Sequence, residues 1–326
     1  MILAGDVGGT KVRLALFDGK GSSLCNCIDE QKFASHEFSD FSALLKKYLG
    51  QVDHREISIA CFGVAGAVQN GKCQATNLPW IISAQVLKEE LKIPDVYLIN
   101  DLEANAWGLR CLPEEEFFVV NRGEVAHGNQ ALISAGTGLG EAGLYWDGKS
   151  HQPFACEGGH CDFAPTSDDE VELFQFLRRQ YKHVSYERIL SGSGLYQLYR
   201  FLIDTKREKE NSSVAALLQC GEPQRVITEK ALSGECRVCV RVCQLFISLY
   251  GSESGNTALK FLATGGVFIG GGIAPHLLSF FNSGSFIQAF MDKGRFSSLL
   301  MKIPVKVVLN EKTALIGAAC YAKERD

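Results

Sequence analysis

Met1-Ile2-Leu3-Ala4-Gly5-Asp6-Val7-Gly8-Gly9-Thr10-Lys11-Val12-Arg13-Leu14-Ala15-Leu16-Phe17-Asp18-Gly19 holds two β runs on either side of a glycine turn. Val12, Leu14 and Leu16 alternate with Arg13 and Ala15, the period of a strand, and Gly8-Gly9 supplies the backbone freedom that a tight hairpin needs. A second stretch, Ala135-Gly136-Thr137-Gly138-Leu139-Gly140-Glu141, also follows one apolar strand and enters another. Two such units, one per lobe, predict a duplicated α/β architecture facing a common cleft.

Outward from the first hairpin, Phe41, Leu44, Leu45, Tyr48 and Leu49 recur at the spacing of one apolar helix face. A strand over 57–64, a short helix over 84–91 and a strand over 96–99 follow, the last ending at Asn100-Asp101 and opening a helical run over 102–109. The second lobe begins with strands over 117–120 and 131–134, continues through helices over 171–181 and 194–203, and reaches a strand over 261–263. A final strand over 303–309 precedes an Ala-rich helix, 313–322, that returns to the first lobe. The domain expectation is therefore a small α/β domain of 1–109 plus 303–326 and a large one of 110–302. The alternation of strands and helices places working residues on loops at the ends of strands.

Composition narrows the chemistry. The 326 residues are 46% hydrophobic and 21% charged, with mean hydropathy +0.02 and a formal net charge of −4. Long disorder is excluded by that balance, and without a basic run there is no electrostatic footprint for nucleic acid. The uncharged stretch Phe261 to Pro275 is shorter than the roughly 20 residues of a membrane helix and carries five glycines. Neither export signal nor membrane span is expected, and a cytoplasmic location follows. The twelve cysteines are scattered and read as reduced thiols. Cys236, Cys239 and Cys243 could present three thiolates, but their apolar neighbours favour a buried helix in which they pack as small hydrophobes.

The glycine turns have two readings. Hairpins use glycine routinely. Phosphates also demand it, because clustered N–H groups approach an anion closely only where no Cβ intervenes. Thr10, Lys11 and Thr137 add side-chain donors, while the absence of G-x-x-x-x-G-K-[ST] excludes a Walker-type loop. Gly265-Gly266-Val267-Phe268-Ile269-Gly270-Gly271-Gly272 leaves room for a planar base against the backbone, although close strand packing asks for the same composition. Asp101 sits where an N-cap belongs and equally where a general base would take a proton from a hydroxyl. Asn77, Asn100, Asp101, Glu157, His160 and Glu187 mix donors and acceptors as a polyol requires, though His160 and Glu187 taken singly are ordinary core and surface residues.

Taken together, these segments resemble the bacterial glucokinase family of the two-lobed, actin-like (ribonuclease-H-like) ATPase fold with an interdomain cleft. The resemblance rests on 5–10 and 135–140 as phosphate loops and 265–273 as the adenosine region. It extends to the sugar-site segments 76–80, 99–105, 157–165 and 187–192, and to 314–319. It implies a glucokinase at the entry of glycolysis, transferring the γ-phosphoryl of ATP to the 6-hydroxyl of glucose. By the same resemblance Asp101 is the base, and Asn77, Asn100, Glu157, His160 and Glu187 are sugar contacts. Asp6, Gly8, Gly9, Thr10, Lys11, Gly136, Thr137, Gly138, Gly265, Gly266 and Gly271 are assigned to ATP, with Asp6 facing Mg²⁺. Lobe closure would exclude water, with a hinge near 100–107 and 303–309. A homodimer is a family-based expectation. The related repressor–kinase family carries a Cys-rich zinc motif after its Glu-x-Gly-His segment, and no such arrangement follows His160, so zinc is not expected; its repressors add an N-terminal DNA-binding domain, whereas this sequence opens on the first phosphate-loop strand, so DNA binding is not expected either.

Overall fold

The computed structural model describes residues 1–19, 26–52, 57–75 and 78–326. They fall into two compact units, Met1–Glu114 with Asn310–Asp326, and Glu115–Leu309.

In the first unit a five-stranded sheet runs in the order Cys27–Ala34, Lys11–Phe17, Ile2–Val7, Ile59–Val64, Asp95–Asn100. The first three strands are antiparallel neighbours, and the last two run parallel to Ile2–Val7. Strand periodicity sends alternate side chains to opposite faces, so the central strand is buried on both. Leu3 and Val7 join Leu14 and Phe62 against the helix Phe41–Leu49, whose buried residues are the five of the apolar stripe. Ile2 and Ala4 join Ala15, Ile59 and Cys61 against the helices Asp101–Leu109 and Thr313–Lys323. Those two helices touch backbone to backbone: a Cβ on Gly108 would overlap the Thr313 carbonyl, and one on Gly317 the Ala104 carbonyl. Beyond the Gly108 contact, Cys111 Sγ and Cys320 Sγ come to 2.6 Å.

The second unit repeats this topology. Its sheet order is His151–Cys156, Leu139–Trp146, Gln130–Ala135, Gly266–Gly270, Val305–Val308, Phe117–Asn121. An antiparallel meander again leads to a strand flanked by parallel partners, and the extra edge strand is antiparallel. The 25-residue helix Arg237–Phe261 crosses behind it, and Cys236, Cys239 and Cys243 lie in its core at 1% exposure or less. Burial drives the Cys243 thiol up to about 12.

Two expectations need correction. Phe261 ends that long helix, which Leu262 closes with φ +47°, so the strand expected at 261–263 begins instead at Gly266. The domain limits also move. Val305–Val308 pairs with Gly266–Gly270 and with Phe117–Asn121, and Leu309 N donates to Glu116 O at 2.9 Å. These ladders tie 303–309 to the large unit and shift the boundaries from 109 and 303 to 114 and 310.

Candidate active site

Parallel register puts the candidate carboxylates Asp6 and Asp101 at one sheet edge. Asp6 pairs with Gly63 and Gly63 with Ile99, so Val7, Val64 and Asn100 form the next row, at the carboxyl ends of the three strands. Ligands of α/β sheets bind at such edges because the loops there carry variable side chains and helix N-termini. Burial lifts the Asp6 pKa to about 6 against the opposing pull of Arg13. The turn after it is closed by Gly8 N donating to Lys11 O at 3.0 Å. Buried Ser35 clamps it, with its N–H on Thr10 O and its Oγ on Gly8 O, both at 3.0 Å. Thr10 and Lys11 are exposed.

Asp101 does not cap its helix. Asn100 does, its Oδ1 accepting from Leu102 N at 2.9 Å and Glu103 N at 3.3 Å while its Nδ2 donates to Gly66 O at 3.1 Å. Asp101 is the first helical residue, with Oδ1 3.0 Å from Leu102 N. Helix N-termini favour negative charge, which suits a carboxylate at this position. Asn77 lies outside the described residues. Trp80, in the same expected segment, is 2% exposed and packs on Phe41, so its place is in the core.

In the second unit the loop after Gln130–Ala135 gathers three candidate segments. Gly136 N donates to Gly138 O, and Gly192 N to Gly136 O. Glu187 Oε2 accepts from Leu139 N at 3.0 Å, and a Cβ on Gly138 would stand 2.5 Å from that oxygen. His160 Nδ1 is 4.0 Å from Glu187 Oε1, joining the turn Glu157 to His160 to the loop. Glu157, Thr137 and His160 are exposed.

The glycine cluster divides between the two ends of its strand. Gly271, with φ +83°, packs on the backbone of Ala135, and Ile273 N donates to Ala135 O, so 270–273 adjoins the 135–138 loop. Gly265 and Gly266 sit at the opposite end, opposite Asn129 and Gln130, where a Cβ on Gly265 would overlap the Gly128 carbonyl. Close backbone packing therefore accounts for Gly265 and a positive φ of +131° for Gly266, and the structure does not bring them to the loop with Gly271. Around a Cβ built on Gly136 or Gly272 nothing lies within 4 Å. A phosphate or a planar base would need open backbone of this kind.

Sequence reasoning missed a polar layer under this site. Glu141, Glu253 and Lys260 meet there, and Asn256 Nδ2 bridges Glu253 Oε2 at 2.8 Å and Tyr186 Oη at 3.0 Å. Tyr250 Oη pins the end of the central strand, accepting from Ala135 N at 3.0 Å and donating to Ile133 O.

The sequence pattern of the glucokinase family matches residues 3–325. A glucokinase of Trichormus variabilis is 38% identical, spanning 99% of this chain and 98% of its own. One of Synechocystis is 37% identical with the same coverage. A solved glucokinase from an Antarctic psychrotroph superposes with TM-score 0.85 at 30% identity, covering 99% of this chain and 98% of that one. The Streptomyces griseus ROK-family glucokinase, solved with glucose and AMPPNP, shares the fold at TM-score 0.67 and 20% identity, over 99% of each chain. Fold and site define an ATP-dependent sugar kinase of the actin-like class. The chain belongs to the glucokinase family.

Proposed function

We propose that this glucokinase-family chain phosphorylates glucose with Asp101 as the general base. The observation that supports this most is the placement of Asp101, on the first turn of a helix at the same sheet edge as Asp6, with Asn100 taking over the capping. Asp101 accepts the proton of the sugar 6-hydroxyl as that oxygen attacks the γ-phosphorus, and ADP departs. Such transfers depend on positioning and charge stabilisation more than on covalent chemistry. Glu157, His160 and Glu187 hold the remaining hydroxyls, with Asn77 and the second amide hydrogen of Asn100. The turns 8–11 and 136–138 cradle the phosphates with the backbone N–H groups not used to close them, and 271–273 flanks the adenosine.

The half-buried carboxylate of Asp6 is a hard oxygen donor beside the first glycine turn, a fit for Mg²⁺. Bound there, the ion would neutralise charge on the phosphates. Among the described residues, no helix is long and apolar enough to cross a membrane. A cytoplasmic, glycolytic enzyme acting as a homodimer is the physiological form of this reading.

The test is ADP release from Mg²⁺-ATP with glucose, fructose, mannose and N-acetylated amino sugars, each against a control without sugar. Turnover with glucose well above the others is expected. Faster turnover with another hexose would move the substrate, and glucose binding without turnover would make the chain a sugar sensor.

A further inference from the structure

Under the turn that carries Glu157 and His160 lies a charged network that the proposed chemistry leaves unused. Glu141 comes from the strand Leu139–Trp146 at 1% exposure, and Glu253 from the helix Arg237–Phe261 at 0%. Their carboxyls are hydrogen-bond neighbours. A Cβ on Gly158 would overlap Glu141 Oε2, so the backbone of the turn rests on that carboxyl. The strand holds the start of the turn as well, because Glu141 is the register partner of Cys156, whose Sγ donates to Glu141 O at 3.4 Å. On the other side Glu253 accepts from Lys260 Nζ at 2.9 Å and from Asn256, which in turn donates to Tyr186, the residue before Glu187. The network thus underlies both sugar-site segments of this unit.

With both carboxyls ionised, Glu253 is bonded to a cation and Glu141 is not. Lys260 is the cation in contact with the pair. Lys293 donates to Ser252 at 3.2 Å, and burial lowers its own pKa. Tyr250, Tyr186 and Cys156, the other titratable groups facing the pair, are neutral at physiological pH because burial raises each of them. As a carboxylate Glu141 leaves Oε1 buried without a hydrogen-bond partner, because the Thr257 hydroxyl beside it donates to Glu253 O at 2.9 Å. As a carboxylic acid it acquires an O–H that Glu253 accepts, and one net negative charge faces one lysine.

We propose that Glu141 and Glu253 share a single proton and that this protonated pair positions the turn Glu157 to His160 for glucose. The inference rests on the reading of that turn as part of the sugar site. Both are positioning residues, acting through the backbone of Gly158 and through Tyr186. Burial and the neighbouring Glu253 push the Glu141 pKa up to about 7. Above that pH the second charge has no partner, the two carboxylates repel, and the turn is displaced from under the sugar.

The experiment is the pH dependence of glucose KM, with kcat and the KM for Mg²⁺-ATP measured alongside. Wild type is expected to show glucose KM rising about fivefold from about pH 6 to about pH 8.5, with a smaller change in kcat, as an apparent pKa of the pair would dictate. Glu141→Gln keeps a donor for Glu253 and cannot titrate, so its glucose KM stays at one value across the range. If that variant does not fold, Glu253→Gln gives the same reading, since its amide donates to Glu141 and Lys260 balances the remaining charge. A flat wild-type profile overturns the proposal, as does an alkaline rise retained in the variant. Glu157→Gln separates the two levels of the argument. If it leaves glucose KM unmoved, the sugar-site reading fails and the proposal with it. If it raises KM while the wild-type and Glu141→Gln profiles superimpose, only the shared proton is wrong.

Discussion

Asp101 and Asn100 illustrate how one residue of register changes a role. Both types cap helices well, so the sequence left Asp101 open as cap or base. Asn100 takes the cap with Oδ1, which leaves the Asp101 carboxylate at the helix entrance. Asp101→Asn preserves volume and helix start while removing the proton acceptor. Its kcat is expected to fall by about 10²–10⁴, the span typical of general-base loss, with glucose KM within a few-fold of wild type. Full turnover in Asp101→Ala would remove the base assignment. Gly138 makes a second residue-scale case, because its missing Cβ is what lets Glu187 reach Leu139 N. Gly138→Ala should displace that carboxylate and raise glucose KM, while thermal stability drops by no more than about 1–3 kcal/mol, as for a local overpacking. Unchanged KM in steady-state assays would show that Glu187 does not need this anchor.

At the scale of elements, legibility followed the strength of local periodicity. The stripe of Phe41 to Leu49 and the alternation of Val12 to Leu16 each decided a helix or strand correctly, because burial selects one face. Phe261 to Ala263 failed for the reason that short apolar runs fail: a helix end, here half-buried at Phe261 and exposed at Leu262, reads like a strand over three residues. The glycine cluster was legible as a composition but not as two functions, since only the parallel pairing shows that Gly266 and Gly271 occupy opposite ends of one strand. The Glu141 and Glu253 pair had no local signal, being made by a strand and a helix far apart in sequence. The crossing of Asp101–Leu109 with Thr313–Lys323 depends on missing side chains at Gly108 and Gly317. Gly317→Ala meets backbone there, which cannot swing aside as a flexible side chain would. A loss of about 1–3 kcal/mol is expected, read by denaturant titration. Because Asp101 begins the affected helix, kcat should fall in the same variant; an intact kcat would show that the helix start is held independently.

For the whole molecule, the repeated sheet topology means that each unit has its own core, and candidate residues stand at carboxyl ends of parallel strands in both, Asp6, Asn100 and Asp101 in one and 136–138 with Gly271 in the other. Burying charge near such a site costs stability, and Glu141 lets that cost be measured. Its folded pKa of about 7 lies above the ordinary glutamate value of 4.5, so the native state binds the proton more tightly than the unfolded chain. Linkage then fixes the sign: this group's penalty is absent below about pH 4.5, grows as pH rises from there to about 7, and is constant above it. A Gln at this position carries no such penalty. The stability of Glu141→Gln relative to wild type should therefore improve steadily from pH 5 to 7 and then level off, in thermal unfolding followed without ligands. A difference that stays constant across this range would mean that Glu141 ionises as freely in the folded protein as in the unfolded chain, and that Lys260 and its neighbours accommodate both charges.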